Sequence, residues 1–346
     1  MKAMLAIAVL LVGSASVNAK SWRVNPNPNM KANFTDINAA MASEDVVAGD
    51  TIYLDPGTTI TTAQTISKEV VVVGTGFFFT DQPHSEAKIA ADLNITADNA
   101  KVEGLYITGV TRVKASYVTL ERCRMGDNIE GNHATCVNTT IRQCYINDYI
   151  FGYGKTDNRS ANWLIENSYI YISYQDYPAV KNLFSATIKN CYIVNGGGYG
   201  SSRGYNECFS SCNNLTLVNS VVNSSRYKNH ILYSCGSYTC VGNVFSCAET
   251  DLPTLVETNV FLNTTGLEAT VFDTSKPNDL WLELCEDSPA KGVGVDGIDA
   301  GPRGGLTPYV FSGYPQGRPY FKAATVSPVA KDGKVSVKLN LKMQDE

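Results

Sequence analysis

The sequence predicts an all-β solenoid, in which short strands stack as successive parallel coils. An eight-residue phrase recurs eight times, with its starts 16 to 29 residues apart, and a period near 20–25 residues with short strands is typical of a solenoid. The phrases are rich in Ile, Val, Thr and Tyr and lack the i, i+3, i+4 spacing of a helix. Hairpin turns, which an antiparallel sandwich needs between its strands, do not separate them.

The phrase itself predicts a strand, a sharp corner and a second strand. Positions three and eight are apolar in every copy, as in Leu120 and Met125, which indicates inward-facing rows. Position five is often Gln, Asn or Gly, which tolerate the left-handed backbone of a tight corner. Position six is small or polar. The eight copies occupy residues 100–107, 118–125, 139–146, 163–170, 186–193, 215–222, 238–245 and 254–261.

Ten cysteines in 346 residues are too few for a disulfide scaffold. Three of them, Cys123, Cys144 and Cys191, occupy position six of the phrase. Equivalent residues of stacked coils lie ~4.8 Å apart, a separation that would also permit a disulfide between Cys123 and Cys144. We favour buried free thiols. Because no paired C-x-x-C spacing occurs, we predict no structural zinc site.

The charge of the chain argues against one class of partner, and its first residues predict a secreted protein. The formal charge of −5 and the pI near 5.4 argue against a nucleic-acid partner. Residues 1–19 are expected to be a signal peptide, with Lys2, an apolar run and the small Ala19. The run is too short for a membrane span, and no later run is longer. From the signal peptide we expect the protein at the cell surface, in a periplasm or outside the cell.

Residues 20–305 are expected to form the solenoid domain, and residues 306–346 a C-terminal β tail. The alternating stretch 335–343 is expected to pack as a final strand on the last coil. A small β module or a sorting tail is the alternative interpretation.

Before the first coil, residues 34–41 have an amphipathic pattern, with Phe34, Ile37, Ala40 and Met41 on one helical face and Thr35 as the expected N-cap. A short helix here would cover the open end of the solenoid. The stretch VAGDTIYLDPGT (47–58) then predicts a strand that ends in a D-P-G turn.

Together with SPAKGVGVDGIDAGPRGG (288–305), which is similar to a closing phrase after the last coil, these segments resemble the pectin-lyase-like superfamily. The resemblance covers about residues 33–305. It implies a right-handed parallel β-helix in a secreted bacterial protein.

The longest connections between phrases lie between Ile146 and Tyr238, and they mix charged with aromatic residues. Solenoids carry function on such corners, because their inward positions are filled by core. Aromatic rings stack on sugars, and charged groups bind hydroxyls and carboxylates. We therefore predict a surface for acidic polysaccharide. The catalytic candidates are Asp148, Asp176, Lys181, Arg203, Lys228 and His230, and the substrate-binding candidates are Tyr153, Arg159, Tyr174, Tyr205, Glu207 and Arg226.

The resemblance implies three activities. Elimination at a uronate needs a base and a cation, either Ca²⁺ or Lys and Arg, but the Asp-His and Arg-Pro signatures of pectate lyases are absent. Polygalacturonase phrases are absent too. DYIFG (148–152), YQDY (174–177) and QGRPY (316–320) are similar to pectin methylesterase motifs and would imply Asp148 as nucleophile, Asp176 as acid and Arg318 as orienting cation. The order of the first two motifs is reversed, and Arg318 lies beyond the closing phrase.

Lyase-type elimination is therefore the favoured activity if the chain is an enzyme. A non-catalytic glycan-binding protein, surface scaffold or adhesin is the main alternative, since no catalytic signature is intact. The sequence predicts neither the sugar nor its linkage, nor the oligomeric state.

Overall fold

The computed structural model describes residues 19–77, 86–133, 136–154, 160–172, 177–196, 207–224, 231–252, 258–276, 282–314, 319–326 and 332–343. Within them the chain winds through three long sheets, here called A, B and C, and follows the order A, B, C in the eight coils between Thr51 and Tyr233. Each strand pairs in parallel with the equivalent strands of the coils before and after it. The fold is a right-handed parallel β-helix, as predicted.

The strands of all three sheets are short. Sheet A consists of Ser21–Val24, Thr51–Leu54, Val71–Val73, Lys101–Glu103, Thr119–Glu121, Thr140–Arg142, Leu164–Glu166, Thr187–Lys189, Leu215–Val218 and Tyr238–Val241. Sheet B consists of Thr59–Ile60, Lys88–Ile89, Tyr106–Ile107, Arg124–Met125, Tyr145–Ile146, Tyr169–Ile172, Tyr192–Asn195, Val221–Ser224, Val244–Phe245 and Val260–Phe261. Sheet C consists of Gln64–Ile66, Leu93–Ile95, Thr111–Val113, Ile129–Gly131, Ile150–Phe151, Val180–Lys181, Phe209–Ser210 and Leu232–Tyr233.

The repeated phrase supplies the strands of sheets A and B and the corner between them. Position three lies in sheet A, where Leu120 pairs in register with Val102 and Ile141, and all three are fully buried. Position five is left-handed in every copy, with φ from 46° to 80°. This confirms the corner, which Asn and Gly accommodate most readily because they lose least in that conformation.

Position six forms a ladder of side chains inside the helix. The backbone N–H of Cys123 donates to Cys144 Sγ at 3.5 Å, and that of Cys144 donates to Ser168 Oγ at 3.1 Å. Cys191 and Ser220 continue the same pattern. Each side chain thus accepts a backbone hydrogen bond from the preceding coil, which is why small polar residues and thiols occupy the row. All ten cysteines are free thiols, as predicted.

A helix, Ile37–Ala42, covers the first coil with Ile37, Ala40 and Met41 buried. The predicted N-cap, Thr35, is wrong: Asp36 is the N-cap and accepts a hydrogen bond from the Ala39 N–H at 2.7 Å. Asn38 Oδ1 accepts from the backbone N–H of Thr65, in the first strand of sheet C, at 2.9 Å. The helix therefore covers both the apolar core and an otherwise unpaired strand edge.

A C-terminal segment, residues 294–314, runs back along the A–B corner and is called the strap here. Its backbone is held by position-five side chains. Asn219 Oδ1 accepts from the N–H of Val295 at 2.8 Å, and Gln143 Nε2 donates to the carbonyl of Pro308 at 2.6 Å. Between them, Asn167 Nδ2 donates to the carbonyls of Pro302 and Gly304. Position five thus turns the chain and also binds the strap.

The outer face of sheet B is covered by the chain that precedes the strap. Tyr169 and Tyr192 stack with ring centroids 5.3 Å apart, and Phe272 lies 4.5 Å from the ring of Tyr192. Phe272 directly follows a short helix, Leu267–Val271. This second apolar cluster closes sheet B from solvent over these coils.

The tail forms a hairpin of two antiparallel strands, Pro319–Val326 and Val337–Met343. The expectation of a final strand on the last coil is wrong, since Val337–Met343 pairs with the tail's own first strand. Three 3₁₀ turns complete the described structure, at Pro28–Met30, Glu249–Asp251 and Val295–Gly297. Among the described residues, no helix has the length and apolar character that crossing a bilayer requires.

We expect Asn167→Ala to lower the free energy of unfolding by about 2–4 kcal/mol, because two strap carbonyls lose a buried donor and Ala takes up a left-handed backbone. Chemical denaturation followed by circular dichroism measures it. Asn99→Ala is the control, because Asn99 has φ 59° but is exposed and away from the strap, so it should cost only about 1 kcal/mol. Equal losses in both variants would contradict a strap held by Asn167.

Candidate functional site

The three corners of the β-helix differ in length and covering. The strap occupies the A–B corner. The B–C corner has three residues in five successive coils, as in 147–149, and then lengthens to residues 173–179, 196–208 and 225–231 in the next three. Long connections therefore follow one another along a single corner, directly after Asp148.

Asp148 is the central residue of the 147–149 corner and is 8% exposed. Its Oδ1 accepts a hydrogen bond from the next backbone N–H, that of Tyr149, at 2.9 Å. Asp127 occupies the same place one coil earlier and accepts equivalently from Asn128 at 2.8 Å. Burial raises the pKa of Asp148 to about 6, and the charge of Asp127 adds to the effect. Asp148 can therefore exchange a proton near neutral pH, as a general acid or base must.

A chain of aromatic ring contacts begins at Tyr149, the residue after Asp148. Tyr149 stacks on Tyr177 from the next coil, with ring centroids 4.9 Å apart, and Phe151 lies 6.1 Å from Tyr149. Burial and the nearby charge of Asp148 raise the pKa of Tyr149 to about 12, so its hydroxyl stays protonated. Tyr177 remains 44% exposed. The pair offers an apolar ring face to solvent beside an ionisable carboxyl.

Lys181 adds a cation to the same side. It pairs in register with Phe151 on sheet C, and its Nζ lies 5.3 Å from the centroid of that ring. Elsewhere on the outer faces, Lys101, Arg112 and Lys189 are each bound to carboxylates at 2.6–3.2 Å. Lys181, in contrast to these three cations, makes no ion pair with any of the described residues.

Two other predicted residues are described: Tyr153 lies on a different corner, and Glu207 is joined to Tyr177 of this cluster through a shared hydrogen-bond donor. Tyr153 is 48% exposed on the C–A corner, and its N–H donates to Ser160 Oγ at 3.0 Å. Glu207 is 8% exposed at the end of a long B–C connection. Asn195 Nδ2 donates to the carbonyls of Glu207 and Tyr177, at 2.8 and 3.0 Å. This amide ties the described ends of two long connections together.

The remaining candidates lie outside the described residues. They are Asp176, Arg203, Lys228 and His230 among the catalytic set, and Arg159, Tyr174, Tyr205 and Arg226 among the substrate-binding set. Arg318 also lies outside, so the esterase arrangement of Asp148, Asp176 and Arg318 stays a prediction.

The structure brings together three aromatic residues that were not named as site residues: Tyr149, Phe151 and Tyr177. Sequence reasoning saw them only as part of a Tyr-rich stretch. Asp127 was missed too, although a signal exists, since it follows position eight of its phrase by two residues, as Asp148 does. We call Asp127, Asp148, Tyr149, Phe151, Tyr177 and Lys181 the Asp148 corner.

The fold and this corner define the chain as a parallel β-helix with a polar, aromatic surface on one side. A scan of protein-family models, a search of curated proteins and a search of solved structures each find no match for this chain. Within the described parts of the chain, no group of three His, Cys, Asp or Glu side chains is placed to hold a metal ion.

Proposed function

We propose that this chain is an exported protein of the pectin-lyase-like type that binds an acidic polysaccharide along the B–C corner and cleaves it by β-elimination. The buried Asp148, whose pKa is raised to about 6, carries the proposal. It lies beside the stacked rings of Tyr149 and Tyr177 and one coil before Lys181. Base, sugar platform and cation thus occupy neighbouring coils.

Each group has a chemical role in this proposal. The Lys181 ammonium pairs with the uronate carboxylate and stabilises the negative charge that develops when the adjacent carbon loses its proton. The Asp148 carboxylate accepts that proton; its raised pKa makes it a stronger base than an ordinary aspartate. The rings of Tyr149 and Tyr177 hold the sugar in place. In this proposal Lys181 provides the positive charge that Ca²⁺ would otherwise provide.

The test is a panel of uronate polysaccharides incubated with the mature protein, with and without Ca²⁺. Elimination creates an unsaturated sugar end that absorbs in the ultraviolet. A rise in absorbance on at least one uronate, and none on neutral glucans, is the expected result. No rise on any uronate, despite measurable binding, contradicts cleavage.

Binding without turnover is the second candidate, and the exposure of the rings favours it. Tyr153, Tyr177 and Tyr233 are each 44–48% exposed, whereas Asp148 is only 8% exposed. A glycan array that records binding, on a sugar that never yields unsaturated ends, would support this candidate over the lyase.

We expect Lys181→Gln to weaken binding of the acidic polysaccharide about 5- to 10-fold at low salt, because one charge-assisted contact is lost. Isothermal titration calorimetry measures it, and the difference should shrink as salt rises. Lys114→Gln is the control, because it removes the same charge from a side chain already bound to Asn94 Oδ1 at 2.9 Å. Equal loss in both variants would mean that net charge, and not the Asp148 corner, attracts the ligand.

A further inference from the structure

Two pairs of cysteines occupy equivalent places on adjacent coils. Cys123 and Cys144 both take position six of the phrase. Cys212 and Cys235 both follow a sheet C strand by two residues, and those strands pair with Phe209 opposite Leu232. Two backbone bonds bracket the second pair: Ser211 N–H donates to the carbonyl of Tyr233 at 3.0 Å, and Gly236 N–H to that of Cys212 at 3.2 Å. In-register parallel strands place Cα atoms ~4.8 Å apart, within the range that a disulfide spans.

The two pairs differ in their access to solvent. Cys123 and Cys144 are fully buried inside the β-helix. Cys212 is also buried, but Cys235 lies at the end of sheet C, where Leu232–Tyr233 is the last strand, and it is partly exposed. An oxidant in solution can therefore reach one thiol of the second pair and neither thiol of the first.

We propose that Cys212 and Cys235 are a redox-active dithiol, which a small disulfide oxidises to a disulfide bond joining the last two strands of sheet C. The paired strands and the two bracketing backbone hydrogen bonds place the two cysteines side by side on adjacent coils. This site is independent of the proposed glycan surface.

The exchange has two steps. The Cys235 thiolate attacks one sulfur of the small disulfide, forming a mixed disulfide and releasing one thiol. Cys212 then loses its proton and attacks the Cys235 sulfur, which forms the internal bond and releases the second thiol. Two cysteine thiols are oxidised and one disulfide is reduced to two thiols. Cys235 is the attacking thiol because it is the partly exposed member of the pair, and interaction with the neighbouring Cys212 thiol also lowers its pKa.

Oxidised glutathione, added to the folded full-length protein at pH 8, tests the pair. Free thiols are counted after denaturation, and the linked peptides are identified by mass spectrometry. The wild type should lose the thiols of Cys212 and Cys235 in one linked peptide pair, whatever happens at the separate, partly exposed Cys285, and gain about 5 °C in melting temperature. Ten thiols retained, a stable mixed disulfide at Cys235, or a bond between Cys123 and Cys144 would each overturn the proposal.

Single variants separate the role of Cys235, which attacks the small disulfide, from the role of Cys212, which then attacks Cys235. Cys212→Ser should stop at the mixed disulfide on Cys235, because the second thiol is gone. Cys235→Ser should leave Cys212 unreacted. Cys144→Ser, a change at the fully buried pair Cys123 and Cys144, should still form the Cys212–Cys235 bond. Peptide mapping of the wild type decides the proposal by itself if a variant does not fold.

Discussion

Asp148→Asn is expected to lower the rate of uronate cleavage by about 100-fold or more, while the polysaccharide still binds. The amide has nearly the shape of the carboxyl but accepts no proton, and a positioned general base contributes roughly 10²–10⁴-fold to a rate. Initial rates of ultraviolet absorbance, combined with calorimetric binding to each variant, measure the two effects separately. A rate within about threefold of wild type would show that Asp148 is not the base.

The pH dependence of the cleavage rate tests Asp148 as the base in a second way. Because the pKa of Asp148 is raised to about 6, the wild-type rate should rise with pH through about 6 as the carboxyl loses its proton. Asp127→Asn is the matched control from the equivalent corner one coil earlier. It should keep most of the rate but move the midpoint to lower pH, because the charge of Asp127 raises the Asp148 pKa.

As pH rises, the free energy of unfolding should fall while the cleavage rate increases. Between about pH 4 and 6 the folded protein holds a proton on Asp148 that the unfolded chain has released, so the free energy of unfolding falls as pH rises across this range, by up to about 3 kcal/mol. Asp148→Asn removes that loss and should be more stable than wild type above pH 6. Slow cleavage in a more stable variant cannot be attributed to misfolding.

The coils could be predicted from the sequence because each strand and corner of the phrase depends on residues that are close together in the chain. Positions three, five, six and eight of the phrase each have one physical requirement, such as a left-handed backbone at Asn190 or a small buried side chain at Cys191. Sheet C was not in the phrase. Its strands are two or three residues long, too short for alternation alone to mark them, and corners of unequal length separate them from the phrase.

The strap and the site could not be predicted in the same way, because both depend on distant pairs. Asn167 binds carbonyls 135 and 137 residues away, and nothing in the phrase distinguishes this second role from its left-handed backbone. Tyr149 and Tyr177 belong to different coils, and their stacking depends on the register between those coils. For Asp148, a motif supplied the residue, but burial, which sets its pKa, became visible only once the coils were stacked.

Trp163→Ala should produce the largest loss of stability, about 3–5 kcal/mol. The indole is fully buried at position one of its phrase, and its Nε1 donates to the carbonyl of Cys136 at 2.9 Å. Gly131 leaves room for the ring: a Cβ there would lie 3.0 Å from Trp163 Cζ2. Truncation would therefore open a cavity beside a glycine that cannot fill it and would leave a buried carbonyl unpaired.

Trp163→Phe separates these two causes, since it keeps most of the ring volume but loses the donor. It should cost about 1–3 kcal/mol, and the difference from Trp163→Ala then measures the cavity. Urea denaturation followed by far-ultraviolet circular dichroism is the suitable measurement, because removing a tryptophan alters fluorescence directly. Total stabilities of natural domains are about 5–15 kcal/mol, so Trp163→Ala should shift the midpoint strongly. A shift no larger than that of Trp22→Ala, at a half-buried ring near the first coil, would contradict a central packing role for Trp163.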